Sequence, residues 1–176
     1  AIHLSAQTDQ RIYDIIDAVS AERIENDVTK LANFGTRHTL SDTVSNTRGI
    51  GAARRWIKSE FEKTSAACNS CLTVFFQKDL VKKGANNRIV KDVEVVNVLA
   101  IQKGTKYPNR YIIMSGDIDS RVSDPTNYTD DSPGANDNAS GMAGTLEAAR
   151  VLSKYTFENS IIYMGCLLYT SPSPRD

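Results

Sequence analysis

The chain has 176 residues with 21 basic and 21 acidic side chains, a formal net charge of zero. Such a balance excludes nucleic acid or an anionic membrane surface as the main partner. The length suits one domain with a respectable core, and no apolar run approaches the roughly 20 residues of a membrane-spanning helix, so membrane insertion is not expected.

The chain begins at Ala1 rather than Met, which reads as a processed or cut terminus. Apolar side chains recur at Ile12, Ile15, Ile16, Val19, Ile24, Val28 and Leu31, a helical spacing that predicts a lead-in helix or helix pair within residues 1–33, broken near Ser20. His38 follows in Thr36-Arg37-His38-Thr39; a lone His beside an Arg reads as a hydrogen-bonded loop residue rather than a ligand. From Thr47 to Thr64, Ile50, Ala53, Ile57 and Phe61 mark one face of a second helix, with Trp56 beside it and Arg54, Arg55, Lys58 and Glu60 largely off that face. Leu72 to Phe76 and Val93 to Ile101 are rich in strand formers, and the turn residues between them predict a hairpin. Lys82, Lys83, Arg88 and Lys91 flank its turn and read as a solvated loop.

Cys68 and Cys71 form a Cys-x-x-Cys pair just before the first strand. A zinc ribbon needs a second such pair, and the only other cysteine is Cys166. The surroundings also lack the Trp-Cys-Gly-Pro-like context of a redox motif. Two readings stand: a short disulfide in an exported protein, or two free thiols.

The remaining chain is organised around the stretch from Tyr111 to Leu152. Tyr111 to Met114 is short and wholly apolar, and predicts a buried strand whose carboxyl end presents Asp117 and Asp119. Side chains alternate along an extended segment, so these two carboxylates point the same way if the strand holds that far. A loop rich in Asp, Asn, Ser and Pro leads to Asp137, just ahead of a helical pattern with Met142, Leu146, Ala149 and Leu152. Gly141 and Gly144 near the helix start are expected to let its backbone approach the sheet. Ser160 to Met164 reads as the next strand. Helix, strand, helix and strand with an early hairpin predict an α/β fold with a mixed sheet. Three carboxylates then converge where a strand ends and a helix begins. Their repulsion is relieved by solvent exposure, by a shared proton or by a divalent cation.

Ser115-Gly116-Asp117-Ile118-Asp119-Ser120 and Pro133-Gly134-Ala135-Asn136-Asp137-Asn138-Ala139-Ser140-Gly141 resemble the paired motifs of the co-catalytic di-zinc aminopeptidases, classed as metallopeptidase family twenty-eight. Phe34-Gly35-Thr36-Arg37-His38, Arg48-Gly49-Ile50-Gly51-Ala52-Ala53 and Asn97-Val98-Leu99-Ala100 also look like the family, and the likeness covers most of residues 31–165. The resemblance implies a three-layer α/β/α sandwich with a mixed sheet and the N-terminal helices packed on it. It implies two divalent metal ions, most often zinc, with Asp137 bridging both, position 117 a ligand of one, and Asp119 the acid that orients that ligand. It also implies a cis peptide between Asp137 and Asn138.

The sequence departs from the family at 117, where the usual His is Asp. With no imidazole for Asp119 to hold, Asp117 is expected to ligate still, and Asp119 to pair with Arg121 or bind directly. The oxygen-rich donor set shifts selectivity toward Mn or Mg without excluding zinc. The implied substrates are peptide or protein N-termini, and the family habit together with the cysteine pair points to an exported, periplasmic or secreted, protein.

Cys166 to Asp176 breaks every earlier pattern and reads back, in one frame, into a transposase adapter end used for sequencing libraries. The expected organisation is therefore residues 1–165 as the N-terminal part of one peptidase domain and 166–176 as a non-native tail. In the family a Gly-Glu-Glu follows the strand that ends near Met164, one Glu acting as general base and the other as a ligand, with an acid and a His later. None of these is present, so this chain is expected to be inactive and its last strand to offer an unpaired apolar edge. Two other readings remain open: a metal-free or single-zinc relative such as a glutaminyl cyclase, and an Asp-x-Asp glycosyltransferase, which leaves the long second motif unexplained.

Overall fold

The computed structural model describes residues 9–167. The lead-in is a helix pair, α1 (Gln10–Asp17) and α2 (Ala21–Ala32), and the break at Ser20 is a cap: its hydroxyl accepts the Arg23 backbone N–H. Then come α3 (Gly49–Ala67), β1 (Leu72–Val81), β2 (Val93–Gln102), β3 (Tyr107–Asp117), α4 (Ser140–Leu152) and β4 (Asn159–Cys166). The strands lie in the order β1-β2-β4-β3. β1 and β4 each pair antiparallel with β2, and β3 pairs parallel with β4, so the sheet is mixed, as expected.

α3 packs on β1 and β2, α4 packs on β3 and β4, and both α2 and α3 touch α4, so these three helices share one face of the sheet. There Val98, Ala100, Ile161 and Tyr163 close a core with Ile57, Phe61, Met142 and Leu146. An ion network joins the helices above it. Arg150 of α4 reaches Asp27 of α2 and Glu60 of α3, while Glu147, only 2% exposed, accepts from Arg23 and from the Ser20 backbone N–H. On the opposite face Phe75, Leu99 and Met164 stand in register, followed by Ile101, Ile162 and Ile113. This apolar face is the one that the second helical layer of a three-layer sandwich takes.

Two expectations about β3 and β4 are reversed. Tyr111, Ile112 and Ile113 are not buried: they are 53%, 53% and 59% exposed, because β3 is the sheet edge and pairs on one side only. β4, expected to be the unpaired edge, lies between β2 and β3. The crossover through α4 returns the chain on the β2 side of β3, and the central slot goes to the strand flanked on both sides. Cys68 and Cys71 are joined as a disulfide between the end of α3 and the start of β1. Of the proposed tail, Cys166 ends β4, Leu167 follows it as a buried residue, and residues 168–176 lie outside the described residues. No helix among the described residues is long and apolar enough to cross a membrane.

Candidate metal centre

The site begins with a contact between glycines. A Cβ on Gly116, the residue before the end of β3, would sit 2.4 Å from the carbonyl carbon of Gly141 in the first turn of α4. Strand end and helix start therefore meet backbone to backbone, which places Asp117 beside the segment that delivers Asp137. Gly144, expected to share this role, has open space where a Cβ would be.

Beyond β3 the chain stays nearly extended. Ile118 plugs into the core, fully buried, and Asp117 and Asp119 flank it. Asp137 sits in an irregular turn, Ala135–Ala139, with φ −118° and ψ 97°, and its peptide bond to Asn138 is cis, as the resemblance implied. Asp117, Asp119 and Asp137 line one cleft of about 480 Å³, together with Ser120, Gly134, Arg88 and Arg121. Its floor is tied down by Ser120, whose hydroxyl donates to Ser132 O at 2.6 Å and accepts the Arg37 backbone N–H at 3.1 Å.

Burial pushes the Asp117 carboxyl above the usual carboxylate range, and the charges of Asp119 and Asp137 push it further. That is the signature of acids crowded together. Behind them lies Arg37, 1% exposed, its guanidinium pulled down to about 10 by burial and held up in part by Asp119 and Asp137. Arg121, the expected partner of Asp119, turns its guanidinium to its own loop carbonyls, Val122 O and Ser123 O. His38 stays out of the cleft, as expected: its Nδ1 accepts the Leu40 N–H and its Nε2 bonds Pro125 O, both at 3.0 Å.

Arg37 is the participant that reading the sequence missed. The only hint was an arginine with no acid nearer than Asp42, in a loop that has to cross the core.

Hard carboxylate oxygens fit a divalent cation in kind. They do not fit it in number: among the described residues no group of three or more His, Cys, Asp or Glu side chains is placed to hold a metal ion. The acids of the described residues are thus too few to hold a metal ion by themselves.

Residues 97–166 match Peptidase family M28, the family read from the motifs. The chain is similar to a "Probable zinc metalloprotease" of Pyrenophora teres f. teres, 49% identical over 154 residues that cover 88% of this chain and 32% of the relative. A "Probable zinc metalloprotease" of Leptosphaeria maculans is 42% identical, with 88% of this chain and 35% of the relative covered. The chain thus spans about a third of the length of these curated relatives. The Legionella pneumophila LapA aminopeptidase superposes with a TM-score of 0.64 at 18% identity, covering 94% of this chain and 39% of that one. A Macrostomum lignano glutaminyl cyclase gives 0.65 at 13% identity, covering 100% and 47%. At these identities the superpositions establish the shared α/β fold.

Proposed function

We propose that this chain, peptidase family M28 sequence through residues 97–166, is the amino-terminal portion of a zinc-dependent aminopeptidase acting on peptide and protein N-termini. The observation that carries the reading is the convergence of Asp117, Asp119 and Asp137 in one cleft between the end of β3 and the start of α4. In the full-length protein Asp137 and Asp117 would contribute ligands to two divalent ions, with Asp137 shared and the remaining donors supplied from outside the described residues, and Asp119 would bind directly as a further oxygen donor. When bound, the ions supply Lewis acidity toward a peptide carbonyl and a water nucleophile at neutral pH. The chain's own acids fix where that charge sits.

Fold alone does not separate a peptidase from a glutaminyl cyclase, since solved structures of both kinds superpose on this chain. The much closer sequence relatives, named as zinc metalloproteases, favour the peptidase. The Cys68–Cys71 disulfide supports export to an oxidising compartment.

The acids that line the cleft are all aspartates, and the glutamate that the family resemblance implies as the general base is not among them. The 176-residue chain is accordingly proposed to be inactive and residues 166–176 to be a foreign tail. Sequencing the source DNA past the codon for Gly165 tests this. A frame that continues into Gly-Glu-Glu, and a longer product that hydrolyses leucyl arylamide in a zinc-dependent way, is the expected result. A genomic stop after Asp176, or arylamide turnover by this chain above a metal-free control, contradicts it.

A further inference from the structure

Arg37 makes an unusual set of contacts for a buried cation. Its guanidinium donates to four backbone carbonyls: Nε to Ile118 O at 2.8 Å, Nη1 to Leu31 O at 2.9 Å and Pro133 O at 2.5 Å, and Nη2 to Gly134 O at 2.9 Å. Ile118 is the residue between Asp117 and Asp119, and Pro133 and Gly134 open the turn that ends in Asp137. One side chain thus bonds both acid-bearing segments, and through Leu31 it anchors them to the end of α2.

A buried charge bonded only to neutral carbonyls is an expensive arrangement, and apolar packing would close the same space more cheaply. Its location repays the cost. Asp119 and Asp137 lie close enough to act on its charge, so Arg37 offsets part of their repulsion while its own donors stay on the four carbonyls. The main chain adds to the tie: Arg37 N–H donates to Ser120 Oγ, and Ser120 N–H reaches back to Arg37 O.

We propose that Arg37 is the positioning residue of the acid cleft: its planar fork locks the Asp117–Asp119 strand end to the turn carrying Asp137, so that the carboxylates are set in place before a cation arrives. The inference rests on the metal reading of the cleft given above. It concerns the fork rather than the charge, because a lysine keeps the charge but cannot span carbonyls on three segments with one ammonium.

The test uses the 176-residue chain, Mn2+ alone as the probe, and NMR as the readout: amide exchange in the metal-free protein, then paramagnetic broadening on titration. Arg37→Lys is expected to weaken Mn2+ binding by roughly tenfold or more, the usual effect of losing a group that holds a ligand in place. It is also expected to speed exchange at the Ala139 amide, which bonds Gly134 O within the Asp137 turn, and at the Ile118 amide, which bonds Cys166 O of β4. The core control Ile57→Val lowers the thermal midpoint and leaves both readouts unchanged. If Arg37→Lys does not fold, Ser120→Ala, which breaks the main-chain part of the same tie, shows both effects in smaller measure. Arg37→Lys matching the wild type in either readout overturns the proposal. Wild-type protein that binds no Mn2+ sinks the metal reading instead, and the exchange rates alone then decide whether Arg37 positions the cleft.

Discussion

Gly116 and Gly141 touch backbone to backbone, and the distance between the carboxylates of Asp117 and Asp137 depends on that contact. A methyl group at Gly116 would lie 2.4 Å from the Gly141 carbonyl carbon, with no flexible side chain available to yield. Gly116→Ala is therefore expected to destabilise the chain by about 1–3 kcal/mol, the range for overpacking a tight interior. Urea unfolding measures it. Gly144→Ala has room, removes a flexible residue from a helix and should be neutral or stabilising.

His38 makes stability fall in mild acid. The Leu40 N–H points at Nδ1, so that nitrogen carries a lone pair, and Nε2–H donates to Pro125 O. Burial holds the imidazole below its ordinary value of 6.5, with only partial relief from the bond to Pro125 O. A depressed folded pKa contributes stability above the unfolded pKa, and that contribution is lost as pH falls through the folded value. Unfolding free energies measured between pH 8 and pH 5 should decline below about pH 6.5, and His38→Gln should flatten that part of the curve.

Arg150 is the hub of the helix layer. It reaches Asp27 and Glu60 while its own side chain is 18% exposed, and Asp27 and Glu60 are 9% and 14% exposed. Arg150→Met leaves Asp27 buried without its cation and Glu60 with only the exposed Lys63. The expected loss is about 3–5 kcal/mol, enough to unfold a marginal domain. Arg23→Met should cost less, about 1–3 kcal/mol, since Arg23 is 47% exposed and the buried Glu147 keeps Arg150 at 3.7 Å and the Ser20 N–H. Paired urea titrations of the two variants give the comparison.

The β3 edge should make this chain associate. Ile112 and Ile113 lie on opposite faces of an edge strand that pairs only with β4 among the described residues, 53% and 59% exposed, beside the apolar sheet face of Leu99, Ile162 and Met164. Sedimentation velocity at micromolar concentration is expected to show oligomers, and Ile112→Lys with Ile113→Lys to shift the distribution toward monomer without lowering the thermal midpoint.

The elements and the acid cluster were legible because local pattern determines them. A cap at Ser20, turn residues between two strand-forming runs, and Asp-x-Asp after an apolar run each constrain the chain within a few residues. Sheet order was not legible. Tyr111 to Met114 and Ser160 to Met164 carry the same apolar signature, and nothing in either run says which is flanked by two strands and which by one. The position of α4 and the free side of β2 decide that, and both are long-range facts. Arg37 was hidden for a related reason. An arginine is usually solvated, and its four carbonyl acceptors come from segments as far away as Gly134.

The central proposal is that Asp117 and Asp137 are ligands of a divalent cation, and anomalous diffraction at the zinc edge tests it most directly. Crystals of the chain grown with zinc should show a peak in the cleft at roughly 2.0–2.2 Å from carboxylate oxygens of both residues, and Asp137→Asn should remove it. A cleft without a peak, or a peak that survives Asp137→Asn, contradicts the account.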